Sequence, residues 1–260
     1  DGRLHVVALD VGQGDSILVE GPSGWRVLVD GGPDPLGAVR ALGRSLPPFA
    51  RSLDLVVLTH GDGDHVGGMA EVARRYRIGQ ALEGFPGESA AYLAWRRELE
   101  RRGVPVVRAQ AGQRVPLGDG AWLEVLHPGP ARLPGAPPND DSVVLRLQYG
   151  EVAFLLTGDV GALGERAVLE RGAAVAATVL KVAHHGSATS STRVFLEAVS
   201  PAVAVVSVGR SNPFGHPDPA VEGALLERVG PHLYRTDLHG TVRLTTDGRS
   251  LWVDVERQPW

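Results

Sequence analysis

Alternating and continuous apolar stretches divide the chain into short strands and amphipathic helices. Near the start, His5–Leu9, Asp15–Glu20 and Trp25–Asp30 read as strands, separated by Gly12-Gln13-Gly14 and followed by Gly31-Gly32-Pro33. Residues 36–46 have helical spacing and stop before Pro47-Pro48. Leu53–Leu58 is apolar almost throughout, which predicts a strand buried on both faces, and it delivers His60 at its end. Helical periodicity over 66–76 and 88–102 is followed by strands at 104–108 and 122–126. A Pro- and Gly-rich segment, 127–138, is the one long internal loop. Beyond it the pattern resumes. Strands at 142–149, 152–156, 178–183 and 203–208 alternate with helices at 162–171, 191–199 and 219–229, and strands at 233–235, 240–245 and 251–255 close the chain.

Two similar βα halves, about 1–127 and 139–260, contain strands too apolar to face water. They predict an α+β fold of one domain spanning 1–260: a four-layer αββα sandwich with helices outside and two sheets inside.

Composition adds mostly exclusions. With 260 residues, 43% hydrophobic and 22% charged, the chain is long enough to bury a large core and has no signature of disorder. No apolar run approaches the roughly 18 residues of a membrane-spanning helix, and the first residues lack the basic and apolar regions of a signal peptide. The expectation is a chain soluble by itself. It begins at Asp1 rather than Met, as a piece of a longer protein would, so targeting or membrane segments are expected in the remainder. The absence of Cys excludes thiolate metal sites, disulfides and thiol nucleophiles. A net charge of −4 excludes a global positive field for tight nucleic-acid binding, so DNA would have to meet local patches. Arg74, Arg75 and Arg77, and Arg96, Arg97, Arg101 and Arg102, are such clusters, more consistent with solvated helix faces than with a phosphate track. No complete dinucleotide or Walker spacing and no Gly-x-Ser-x-Gly elbow occurs, which argues against a nucleotide cofactor and a serine hydrolase.

The chemistry concentrates in Thr59-His60-Gly61-Asp62-Gly63-Asp64-His65-Val66-Gly67-Gly68. Four potential ligands, His60, Asp62, Asp64 and His65, fall within six residues at the end of a buried strand. A divalent ion needs several lone-pair donors converging on one point, and interleaved glycines let the backbone curl around it. Calcium loops seldom use His, which sets this turn apart from them.

With six further motifs, this turn resembles the metallo-β-lactamase superfamily, and within it the ComEC competence-protein hydrolase domains. The motifs are Asp10-Val11-Gly12-Gln13-Gly14-Asp15-Ser16, Val29-Asp30-Gly31-Gly32, Asn139-Asp140-Asp141-Ser142, Leu156-Thr157-Gly158-Asp159, Lys181-Val182-Ala183-His184-His185-Gly186-Ser187 and Gly215-His216-Pro217. The resemblance covers nearly the whole chain. It implies two divalent ions: His60 and Asp62 on one, Asp64 and His65 on the other, and Asp159 bridging them. One of His184 and His185 would complete the second ion, with His184 favoured because it lies nearer its strand end. The superfamily's usual second His of the turn is Asp62 here. That adds a hard oxygen donor, favours manganese, and leaves zinc and magnesium as alternatives. A further His of many relatives is replaced by Asn139 or Asp140.

Standing alone, Asp159 would read as a helix cap, and His184 and His185 as polar residues ending a strand. Asp30 is expected to orient the metal turn from behind, and Asp10 and Asp15 either do the same or stabilise their own turn. Lys181, the only lysine, is a candidate to neutralise a phosphate oxygen, and His216 a candidate proton donor or phosphate contact. The function implied by the resemblance is a metal-dependent nuclease that hydrolyses DNA phosphodiesters and degrades the non-imported strand in natural transformation. Its expected partners are DNA, single-stranded by preference, and a membrane channel in the same polypeptide, which would place the domain on the extracytoplasmic face of the cell membrane. A phosphodiesterase acting on choline-phosphate or cell-wall polymer, and a non-catalytic DNA-guiding module, are the competing readings.

Overall fold

A computed structural model describes residues 2–258. The first sheet holds eight strands in the order β15-β14-β1-β2-β3-β4-β5-β6. They span Leu251–Val255 (β15), Val242–Thr246 (β14), Leu4–Ala8 (β1), Ile17–Glu20 (β2), Arg26–Val29 (β3), Ser52–Leu58 (β4), Arg77–Glu83 (β5) and Val106–Arg108 (β6). The second holds seven, β13-β12-β11-β10-β9-β8-β7. These are Leu233–Arg235, Val203–Val206, Val179–Lys181, Val152–Leu156, Val144–Tyr149, Ala121–His127 and Arg114–Gly118. Helices α1 (Gly37–Ser45), α3 (Met69–Arg75) and α4 (Ala90–Arg101) cover the first sheet. Helices α5 (Ala162–Glu170), α6 (Arg193–Val199) and α7 (Pro219–Val229) cover the second. One-turn helices α2 (Gly63–Val66) and α8 (Thr236–His239) complete the set.

The predicted four layers are present, and the apolar strands explain them. In β4, Leu55 and Val57 enter the core between the sheets, while Val56 and Leu58 pack under the helices. In β10, Val152, Phe154 and Leu156 point between the sheets, and Ala153 and Leu155 pack outward against α5 and α6. A strand buried on both faces must be apolar at consecutive positions, because side chains alternate between faces.

Two expectations need correction. Residues 66–76 do not form one helix, since Gly67 and Gly68 interrupt it between α2 and α3. Two strands were not predicted. β5 contains Gly79, where any Cβ would lie 2.6 Å from the Asp54 carbonyl oxygen of β4, so the close approach that needs glycine also erases the strand signal. β7 contains Pro116, tolerated because β7 is the edge of its sheet. The two halves share both sheets: β7 and β8 precede 127–139 yet belong to the second sheet, and β14 returns from the second half to pair with β1.

The parallel strands β3, β4 and β5 and the parallel strands β10, β11 and β12 end at a common edge. Four loops leave the strands there: Thr59–Gly68 after β4, Thr157–Gly161 after β10, Val182–Thr192 after β11, and Ser207–Asp218 after β12.

Candidate metal centre

The loop after β4 brings its donors in by local geometry. Asp62 is extended and α2 begins directly after it, so Asp64 and His65 ride on the single turn of helix that follows. This turn is pressed from behind by Gly12–Ser16. Gly14, at φ +134°, sits so close that a Cβ would lie 2.1 Å from the Asp64 carbonyl oxygen, and the next amide, of Asp15, donates to that oxygen at 3.2 Å. Asp159 follows β10 and enters from the second sheet.

The histidines from the second sheet are placed differently. Both His184 (φ 50°, ψ 41°) and His185 (φ 54°, ψ 23°) are left-handed, a conformation that costs a non-glycine residue about 1–2 kcal/mol. The loop is held in this state by its surroundings. Thr189 Oγ1 lies 3.1 Å from His184 Nδ1, and Glu165 of α5 accepts the amides of Ser191 and Thr192 at 2.5 and 2.9 Å. Asp30 is a third strained residue, at φ 61°.

Asp64, His65, Asp159 and His185 each offer a ligand atom, all within 4.8 Å of one another. His65 Nε2 is 3.1 Å from Asp159 Oδ1, and His185 Nε2 is 3.3 Å from Asp64 Oδ2 and 3.4 Å from Asp159 Oδ2. His60 Nε2 stands 3.7 Å from Asp62 Oδ2 and 4.0 Å from Asp159 Oδ2, so Asp159 lies between the two groups. His184 Nε2 reaches this second side, 3.8 Å from Asp159 Oδ2 and 3.4 Å from Asn139 Nδ2. His185, and not the expected His184, therefore joins Asp64 and His65. Asp140 is turned away to accept the Gly164 amide at 2.6 Å.

A divalent ion fits this donor set. His65 donates Nδ1–H to Asp30 Oδ2 at 2.7 Å, and His185 donates Nδ1–H to the Ser207 carbonyl at 2.8 Å. Thr59 gives its hydroxyl proton to Asp30 Oδ2 at 2.7 Å, so it accepts from His60 Nδ1 at 3.1 Å. With Nδ1 of each ring thus occupied, the Nε2 lone pairs of His60, His65 and His185 are aimed inward, buried and without an aligned hydrogen bond, as is Asp159 Oδ1. The electrostatics agree. Burial opposes a charged imidazole at His65, yet Asp159 and Asp30 raise its pKa well above the usual value. His185 is likewise raised against burial to about 9, chiefly by Asp159. Burial would raise Asp64, but the His185 contact and His65 hold it down to about 2. This potential attracts positive charge.

The remaining candidates separate. Asp15 and Asp30 both lie behind His65, with Asp15 Oδ2 4.0 Å from His65 Nδ1. Lys181 does not face the substrate side. The residue is buried, 2% exposed, and its ammonium is bonded to Asp15, so it serves as the counter-ion beneath the centre. Asp10 stands apart, paired with Arg257 at 2.8 Å and accepting the Gly12 amide. The His216 ring is 5.8 Å from that of His184 and 6.5 Å from that of His185. Sequence reasoning gave no role to Thr59, Ser207 or Glu165. Adjacency to His60 was the one signal for Thr59, and a backbone acceptor such as Ser207 leaves none. The arginine clusters are largely neutralised: Arg74 and Arg75 pair with Glu71, Arg101 and Arg102 with Glu98, and Arg96 with Glu83.

The family model of the metallo-β-lactamase superfamily matches residues 9–210. The chain belongs to the metallo-β-lactamase superfamily, a superfamily of hydrolases. It is 31% identical over 265 residues to ComE operon protein 3 of Bacillus subtilis (strain 168), covering 92% of this chain and 32% of that protein. It is 34% identical over 249 residues to competence protein ComA of Neisseria gonorrhoeae, covering 94% and 32%. The chain thus spans about a third of the length of these relatives. Among solved structures, Igni18, a metallo hydrolase from the archaeon Ignicoccus hospitalis, shares the fold with a TM-score of 0.60 at 18% identity, covering 93% of this chain and 98% of that one. Among the described residues, no helix is long and apolar enough to cross a membrane.

Proposed function

We propose that the chain is a two-metal phosphodiesterase that cleaves DNA, acting as the hydrolytic part of a DNA-uptake membrane protein and degrading the strand that is not imported. The observation that carries this reading is the convergence of Asp64, His65, Asp159 and His185, in a chain similar over more than nine-tenths of its length to competence proteins.

In this reading His60, Asp62 and Asp159 hold one ion, with Asn139 and His184 at its edge, and Asp64, His65, His185 and Asp159 hold the other. Two divalent ions would supply the charge that acidifies a water nucleophile and offsets the charge of an in-line displacement at phosphorus. The chain does the positioning. Asp30 and the Ser207 carbonyl fix the tautomers of His65 and His185, and Lys181 with Asp15 supports them from below. His216, beside His184 and His185, is placed to contact the phosphate or pass a proton to the leaving oxygen. Asp62 in place of an imidazole makes one ion's donors rich in oxygen, which suits manganese or magnesium better than zinc, with manganese the favoured ion. Attachment to a membrane channel on the extracytoplasmic face would deliver the strand to the site, so an acidic domain with weak affinity for DNA would still act.

The test is hydrolysis of bis-p-nitrophenyl phosphate, single-stranded DNA and duplex DNA by the purified chain with manganese, magnesium or zinc. Cleavage of single-stranded DNA, fastest with manganese, is expected. Metal-dependent DNA binding without hydrolysis of any of the three would overturn the proposal in favour of a guiding module.

A further inference from the structure

Phe214 is an anomaly beside the centre. It is 65% exposed, although burying a phenylalanine side chain is worth about 1.5–3 kcal/mol. Its loop holds it out by design of its hydrogen bonds. Asn212 Oδ1 accepts the His216 amide at 2.9 Å, while Asn212 Nδ2 donates to the carbonyls of His216 and Gly209 at 2.8 and 3.1 Å. Gln13 Oε1 accepts the Gly209 amide at 3.1 Å, tying the loop to the segment behind the metal turn. The Phe214 ring stacks on His216 with centroids 5.6 Å apart and an interplanar angle of 26°, and His216 in turn lies at 29° to His185, 6.5 Å away. A column of three rings therefore runs from a buried ligand histidine out to solvent.

A cleft of ≈ 450 Å³ opens beside His60 and Asp62, lined by Phe85, Ser89 and Arg132. Arg132 and Arg108 each lie over the Phe85 ring, 4.6 and 4.5 Å from its centroid. The centre thus has a cleft beside His60 and Asp62 and an exposed ring, Phe214, beside His216. The exposed ring suits a nucleobase better than an apolar protein segment, because its loop exposes no other large apolar side chain: Val208 is buried, and the residues from Gly209 to Pro217 are otherwise glycine, proline and polar. One flat, rigid ring matches one unpaired base, whose own faces are free only in a single strand.

We infer that Phe214, backed by His216, is a stacking platform for the unpaired base next to the phosphate at the metal centre, so that the site selects single-stranded over duplex DNA. The inference rests on the nuclease reading for its substrate, and the experiment separates the two.

The probe is a single-stranded oligonucleotide carrying one 2-aminopurine, mixed with the manganese-loaded chain in a stopped-flow instrument and competed with an all-abasic strand or a duplex. Stacking quenches 2-aminopurine before any cleavage, and products are read separately on a gel. The wild type is expected to quench the probe and to prefer it to the abasic strand by about tenfold, within the range for stacking one base. Phe214→Ala should lose both the quench and the preference, and Phe214→Trp should keep them. Phe49→Ala is the control for stickiness, since Phe49 is 95% exposed but precedes β4, at the end of that strand opposite His60. Quenching and preference unchanged in Phe214→Ala, or lost equally in Phe49→Ala, would overturn the platform. Quenching without cleavage would sink the nuclease reading and leave the platform standing, whereas cleavage with no preference for bases would do the reverse.

Discussion

The two loops that build the centre reach the same result by opposite means. The turn after β4 puts His60, Asp62, Asp64 and His65 in place by sequence spacing alone, on unstrained backbone and one turn of helix. The turn after β11 carries two consecutive left-handed histidines, and neighbours distant in sequence fix which one faces Asp64. A local site can be read from spacing. A strained one exists only because packing over-determines it.

The sharpest test of this contrast is to remove one candidate ligand from each loop. Asp64→Ala and His185→Ala are both expected to lower hydrolysis of bis-p-nitrophenyl phosphate by more than about a thousandfold, roughly 4 kcal/mol of barrier. Circular dichroism should show both variants folded, since Asp64 is only partly buried and the loop that carries His185 is held by the Glu165 bonds to the Ser191 and Thr192 amides. His184→Ala should lose less activity than His185→Ala. The reverse order would restore the assignment that strand-end proximity suggests.

Lys181→Met probes the ground beneath both loops. Breaking the buried pair leaves Asp15 uncompensated, so chemical denaturation should show a loss of about 3–5 kcal/mol. Normal stability with a raised KM would instead mark Lys181 as a phosphate contact.

Acid unfolding tests a region outside both loops. His127 is buried beside Arg171, and burial, with that neighbour's charge, lowers its pKa to about 4. The native ring stays neutral while the unfolded ring takes up a proton below pH ~6.5. Stability should therefore fall as pH drops from about 6.5 through 4, by up to about 3 kcal/mol. Replacing His127 with Gln, measured by urea denaturation across that window, should flatten this part of the profile. An unchanged slope would assign the loss to the carboxylates of the centre.

The smallest effect is the most direct measure of strain. His184→Gly should raise the metal-free melting temperature, by relief worth about 1 kcal/mol, while reducing activity. A lower melting temperature would show that the His184 contacts to Thr189 and Asn139 outweigh the backbone cost.

Much of this molecule was legible in its sequence. Doubly apolar strands such as β4 and β10 declared a sandwich, because only burial on both faces explains consecutive apolar positions. The turn after β4 declared a metal site, because four donors in six residues have little else to do. Other elements were illegible for stated reasons: β5 hides its signal behind Gly79, β7 behind the edge proline Pro116, and the crossing of β14 into the first sheet has no local marker.

Spacing and periodicity along the chain already carried the layers, the place of the first four candidate donors and the later Thr157-Gly158-Asp159 and His184-His185 motifs. Which histidine turns inward, that Lys181 is a buried counter-ion, and that Phe214 stands exposed on a stack of rings became visible with the packed sheets. The physical reason is range. Spacing and periodicity record interactions within a few residues, whereas a side chain's direction and charge partner are set by groups such as Ser207 and Asp15, brought close only when the two sheets pack.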